Sequence, residues 1–359
     1  MRLSRRSLLA AASGAAVTAV ATLARVARGA DDGIEGAMDR EARRLGHPGL
    51  ALAVVSRDAP PVLRAHGVRD TRGKDPVRAD TIFRIASVTK VLSGIALLQL
   101  RDAGALGLDD PVARWLPESG LPATMTLRHL FTHTSGLPRN VPAGAVTEQA
   151  LVAAVARAGR LFAPGSRTAY SNLGMALAGP IVRRAGGVPY RDWMRDHVLG
   201  PLGMSGAGWE RASLPTDRVA TGNLVVHDGS HTRFEPSLSE WRMGAAESFG
   251  GLYASLDDMV RFARFELGGA TSSPSPLSAA SLRESQTPAL EIPGERVRYG
   301  VCWRIEGSRL VHGGATDEYA CAVVLDPARR AGVVVLSTAP LEPEVEACAK
   351  RLLERAIQP

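Results

Sequence analysis

Lysine is nearly absent from this chain, so the places where it occurs are informative. Of the 43 basic residues only Lys74, Lys90 and Lys350 are lysines. Arginine stays charged in a protein, whereas a buried lysine can lose its proton and act as a base. Lys90 closes the run Ser87-Val88-Thr89-Lys90, three residues after a serine at the start of an apolar segment. On a helix, the i, i+3 spacing sets the amine over the hydroxyl. The helix start also supplies unpaired backbone N–H groups and a positive dipole end, which favour an oxyanion and a deprotonated serine. With 25 serines and three lysines, chance gives roughly 0.2 S-x-x-K matches in a chain of this length. The pattern points to Ser87 as a nucleophile and Lys90 as its proton acceptor. The competing reading is a capping serine beside a solvated lysine.

Further segments turn this motif into a resemblance. Ser87-Val88-Thr89-Lys90 resembles the nucleophile box of serine β-lactamases and penicillin-binding proteins. Leu127–Leu137 (LRHLFTHTSGL), Pro164-Gly165 followed by Tyr170-Ser171-Asn172, Pro201–Met204 (PLGM), and Gly250–Tyr253 (GGLY) with Asp257-Asp258-Met259 are similar to the branch nearest class C β-lactamases. His312-Gly313-Gly314-Ala315 stands where that family has Lys-Thr-Gly-Ala. The resemblance runs from about residue 33 to 357. It implies that Ser87 forms an acyl-enzyme, that Lys90 shares or takes its proton, and that Tyr170 is a base or relay whose pKa neighbouring Lys90 lowers. It further implies that Asn172 orients the substrate, that His312, Gly314 and Ala315 bind it, and that the N–H groups of Ser87 and Ala315 form an oxyanion hole. His312 departs from the pattern. Its ordinary pKa of about 6.5 leaves it mostly neutral at pH 7, able to hydrogen-bond a carbonyl or a phenolic leaving group but giving no counter-charge to a carboxylate.

Other patterns read as structure. His129 and His133 have the i, i+4 spacing of two zinc ligands, but no glutamate follows His129 and no third ligand stands at a recognisable spacing, so no metal is expected. Asp109 and Asp110 read as caps or solvated charges. Gly250-Gly251 lacks the strand–glycine–helix context of a phosphate loop, and no nicotinamide, flavin or nucleotide cofactor is indicated. Cys302, Cys321 and Cys348 give neither metal spacing nor CxxC. Cys302 and Cys321 read as buried thiols, with a disulfide between them left open.

The elements that must position Ser87 are legible at both ends of the chain. Residues 34–45 show helical spacing; residues 50–56 and 62–68 read as a hairpin around Asp58–Pro61, and a helix follows over 87–103. Residues 299–306, 309–312, 319–325 and 331–337 read as four strands, and 343–357 as a closing helix. Between about 110 and 240 lie helical pieces broken by Pro and Gly, and GGATSSPSP over 268–276 reads as a loop. Short connections favour antiparallel pairing. The expected fold is therefore α+β: one antiparallel sheet built from both chain ends, flanked by the first and last helices, with a mostly helical insert. Its α/β part covers about 31–105 and 245–359, its helical part about 106–244.

The chain has 359 residues, 45% hydrophobic and 22% charged, with net charge +7. That composition excludes a disordered or collagen-like chain. Arg2, Arg5, Arg6, Arg25 and Arg28 all lie within residues 1–29, which hold no acid, and the remainder carries only +2. Nothing calls for a nucleic-acid or anionic-membrane partner. Residues 1–29 have the anatomy of an export signal, with Ser4-Arg5-Arg6-Ser7-Leu8-Leu9 of the twin-arginine kind and cleavage expected after Gly29. The partners expected are the twin-arginine machinery and a small ester, amide or peptide, with no stable membrane anchor and a periplasmic or secreted location. The expectation is an exported serine hydrolase without a cofactor, an esterase or D-amino-acid peptidase or carboxypeptidase, over residues 30–359. A class C-like β-lactamase and a non-catalytic cell-wall peptide-binding module are the alternatives.

Overall fold

The computed structural model describes residues 33–358 except 230, 240, 272 and 273. The export signal read in residues 1–29 lies outside the described residues. Seven antiparallel strands form the main sheet in the order β2-β1-β11-β10-β9-β8-β7. They are β1 (Gly49–Ser56), β2 (Val62–Gly67), β7 (Arg298–Tyr299), β8 (Arg304–Glu306), β9 (Arg309–Ala315), β10 (Ala320–Asp326) and β11 (Ala331–Ser337). The N-terminal β1 pairs with the C-terminal β11, Val54 opposite Val333. The two chain ends therefore close one sheet.

The central strands are apolar throughout because both faces are covered. Along β10, Cys321, Val323 and Leu325 enter one core, while Ala320, Ala322 and Val324 enter a second. The period of two in a strand sends alternate side chains to opposite faces. Numbering only helices of eleven residues or more, α1 (Ile34–Leu45) and α4 (Glu342–Ile357) cover the second face. An ion pair of 2.8 Å between Glu41 and Arg351 ties these two helices. On the first face lie α2 (Thr89–Asp102) and α3 (Leu256–Glu266). Eleven of the fourteen residues of α2 are buried, as suits a helix with protein on nearly every side.

Three departures from the sequence reading have local causes. The expected strand over 299–306 is split into β7 and β8, because Cys302 adopts φ +67° between them. Within the insert, β4 (Asn223–Asp228) and β5 (His231–Pro236) form a hairpin. Its few apolar residues, Leu224, Val225, Val226 and Phe234, show no alternation. Finally, β3 (Ile82–Arg84) pairs with β6 (Tyr253–Ser255); three residues are too few to register as a period. Cys302, Cys321 and Cys348 are free and buried.

Candidate active site

Strand β3 and the tight turn Ala86–Val88 carry Ser87 to the N-terminus of α2. Ala86 has φ +43°, a left-handed conformation that costs a non-glycine residue roughly 1–3 kcal/mol and recurs at functional sites. It swings the chain from strand into helix. Strand β9 lies hard against this turn. A Cβ on Gly314 would sit 2.8 Å from the Ser87 nitrogen and 2.9 Å from the Ile85 oxygen, so glycine is what permits the approach. Sequence reasoning placed Gly314 among substrate-binding residues. The structure packs it on the Ser87 backbone, and the cleft is lined instead by Gly313 and Ala315.

Lys90 Nζ donates to Ser87 Oγ at 2.9 Å and to the Phe249 carbonyl oxygen at 2.7 Å. The i, i+3 spacing thus brings the two groups together. No part of Lys90 is exposed. Burial drives its pKa well below the ordinary lysine value, with Cys302 and Glu342 opposing and Arg139 assisting. The Cys302 thiol is itself pushed up to about 12 by burial, so it stays neutral and supplies no counter-charge near pH 7.

Tyr170 hydrogen-bonds Ser87, yet its pKa moves upward. Burial is the main cause, and the Ser87 hydrogen bond only partly offsets it. This corrects the expectation of a phenol acidified by Lys90. Taking the phenol out of water disfavours the phenolate more than the Ser87 hydrogen bond and Arg139 favour it.

Asn172 opens the short helix Asn172–Ala176, which Ser171 caps by accepting from the Gly174 N–H at 2.9 Å. Its own N–H donates to the Arg139 carbonyl at 2.8 Å, while Oδ1 is buried without a hydrogen-bond partner among the described residues. His312 is equally specific. Its Nδ1 lies 2.7 Å from the Gly313 carbonyl oxygen, and a carbonyl only accepts, so Nδ1 carries the proton. Nε2, buried and unpartnered, is therefore an acceptor. Burial lowers the pKa to about 3, helped by Lys90. The imidazole is neutral, as expected, but it cannot donate to a carbonyl as the sequence reading supposed.

Ser87, Tyr170, Asn172, His312 and Ala315 share one cleft of about 350 Å³. Sequence reasoning missed six residues of its wall: Arg139, Tyr299, Arg304, Val311, Gly313 and Glu342. Arg304 is paired with Glu306 at 2.9 Å and Glu346 at 2.6 Å. Arg139 stands 4.9 Å from the Tyr170 ring centroid. The two histidines with metal spacing serve different ends. His129 Nδ1 lies 3.1 Å from the Thr126 hydroxyl and completes a helix cap, whereas His133 packs on Tyr170. Asp109 pairs with Arg128 at 2.7 Å, and Asp110 accepts from the Gly107 N–H at 2.8 Å.

A serine, a buried amine and a phenol joined by hydrogen bonds at a strand–helix turn can be set beside known proteins. The family model described as Beta-lactamase matches residues 16–357. The chain belongs to the Beta-lactamase family. Within that family it is similar to Esterase EstB of Burkholderia gladioli, 35% identical over 262 residues, 62% of this chain and 65% of that protein. It is also similar to the D-alanyl-D-alanine-carboxypeptidase/endopeptidase AmpH of Escherichia coli (strain K12), 32% identical over 232 residues, 60% of this chain and 57% of that one. The chain spans less than two thirds of the length of these two relatives. A solved class C β-lactamase superposes with TM-score 0.77 at 20% identity, covering 89% of this chain and 96% of its own. That is the fold expected for the Beta-lactamase family.

Proposed function

We propose that this member of the Beta-lactamase family is an exported serine hydrolase that cleaves esters or amides through an acyl-enzyme. The observation that supports this most is the buried amine of Lys90, 2.9 Å from Ser87 Oγ and with its pKa driven well below the ordinary lysine value. As Ser87 Oγ attacks the substrate carbonyl, Lys90 takes the hydroxyl proton and an electron pair moves to the carbonyl oxygen. The N–H groups of Ser87 and Ala315 are assigned to that oxyanion, where one donor is worth about 3–4 kcal/mol. Collapse expels the leaving group, which takes the Tyr170 proton, and Lys90 returns its proton to the phenol. Water then attacks the acyl ester as Lys90 takes its proton, and collapse releases the acid while Lys90 hands that proton to Ser87 Oγ.

Ester or peptide substrates lead because His312 and Asn172 bring buried acceptor atoms without partners to the cleft, which suits a substrate amide N–H or hydroxyl. The deciding assay uses purified mature protein with short p-nitrophenyl esters, a chromogenic cephalosporin and a D-Ala-D-Ala peptide, each against Ser87→Ala. Turnover of esters or peptide, abolished in Ser87→Ala, is expected. Cephalosporin hydrolysis exceeding ester turnover at pH 7–8 would promote a β-lactamase instead. No turnover and no labelling by a fluorophosphonate would leave a cell-wall peptide-binding module.

A further inference from the structure

Arg84, three residues before the nucleophile, is a buried charge. It lies on β3 opposite Tyr253 of β6 and is only 3% exposed. Its guanidinium carbon stands 5.7 Å from the Trp241 ring and 5.4 Å from the Tyr253 ring. Nε has no hydrogen-bond partner, and among the described residues no carboxylate forms an ion pair with it. Aromatic faces return part of the cost of taking a cation out of water. A buried guanidinium still calls for hydrogen-bond acceptors and an opposite charge.

Two clefts meet at Arg84 and share no lining residue with the cleft of Ser87. The larger, about 250 Å³, also has Arg72, Arg211, Ser237, Ser239 and Tyr319 in its wall. Its carboxylate, Glu318, accepts from the Thr316 and Ser237 hydroxyls. Arg72 is paired with Asp70 at 2.6 Å, and Arg211 donates to the Ala220 carbonyl oxygen at 2.7 Å. In the smaller cleft, about 150 Å³, Glu247 and Glu210 both pair with Arg191. These acids are engaged elsewhere, and Arg84, with one donor left unpartnered, lines a space with hydroxyls and further cations around it. We infer that Arg84 is the floor of a second binding site that takes a small oxyanion group, a carboxylate or a phosphate. The planar fork of a guanidinium matches such a group with two parallel hydrogen bonds.

The test measures thermal stability against added anion at constant ionic strength, with chloride as the control. Phosphate, sulfate, acetate and succinate form separate arms, with the protein as wild type, Arg84→Gln, Arg84→Met and Ser239→Asp. At ten times its Kd, a bound anion should raise the wild-type Tm by about 2–3 °C in a saturable way. A rise with phosphate and sulfate alone assigns a phosphate ligand; a rise with acetate or succinate assigns a carboxylate. Both Arg84 variants should lose the response. Ser239 is exposed, so Ser239→Asp folds whatever the role of Arg84, and its new negative charge at the mouth should weaken the apparent affinity at least tenfold. No anion-specific rise in the wild type overturns the site, as does an equal rise in the wild type and the Arg84 variants. If neither Arg84 variant folds, equal responses of wild type and Ser239→Asp overturn it.

Discussion

His133 stacks on Tyr170, with ring centroids 4.2 Å apart and planes 33° from parallel. Its Nδ1 accepts from the N–H of Ser171, the residue after Tyr170, at 3.2 Å. His133 holds a left-handed φ of +57° to place its ring there, and burial drives its pKa well below the ordinary histidine value. A neutral ring thus fixes the phenol against Ser87 without adding a charge that would titrate with it.

Lys90→Arg keeps a cation and removes the group that can be a free base. Turnover should fall by at least about 100-fold, within the range for general acid–base groups. In the wild type, kcat/KM should fall with decreasing pH through the lowered Lys90 pKa, well below that of a free lysine. Retention of most activity in Lys90→Arg would remove Lys90 as base.

Tyr170→Phe removes the proton carrier and leaves the Lys90 amine beside Ser87. The expected loss in kcat is about 100-fold, with the acid limb of the pH profile in place. Burial raises the phenol pKa, so no activation from its ionisation should appear between pH 7 and 9. An alkaline rise that vanishes in Tyr170→Phe would show that the phenolate is the base after all.

His312→Lys replaces a neutral acceptor by a cation. Substrates with a free carboxylate should gain over neutral esters by about 10- to 150-fold in kcat/KM ratio, equivalent to one charge-assisted hydrogen bond of about 1.5–3 kcal/mol. An unchanged ratio would show that Arg139, on the same cleft, already supplies the carboxylate contact.

Glu266 is a pH-dependent cost to the fold. It is 2% exposed and accepts from Gln286 and Trp303, and burial lifts its pKa from 4.5 to about 7. Below pH 4.5 both the folded and the unfolded states are protonated. Between 4.5 and 7 only the unfolded state releases the proton, so stability falls as pH rises and levels off above 7. Glu266→Gln should remove that slope. Its stability relative to wild type should improve by about 3 kcal/mol between pH 4 and pH 8. Parallel denaturation curves for the two proteins across that range would contradict the assignment.

Arg5→Lys together with Arg6→Lys keeps the charge of the proposed signal and should block twin-arginine export, leaving precursor in the cytoplasm. Unchanged export in a fractionation experiment would indicate the general secretory route.

Residue order alone determined the chemistry that is local. Ser87 and Lys90 meet because three residues on a helix make nearly one turn, and the resemblance followed from motifs read in order. The apolar runs at 50–56, 319–325 and 331–337 announced the sheet because strands buried on both faces must be apolar. Elements without such a surplus stayed silent: the three-residue β3 and β6, the half-exposed hairpin of β4 and β5, and the break at Cys302. Tertiary structure decided whatever depends on distance from water. It raised the pKa of Tyr170 where the local motif suggested lowering it, fixed the tautomer of His312 through the Gly313 carbonyl, and set His133 on Tyr170. It also brought Arg139 and Glu342 to the cleft and enclosed Arg84 between two rings. Desolvation is a sum over every element packed around a group, and that sum exists only once distant segments have closed over it.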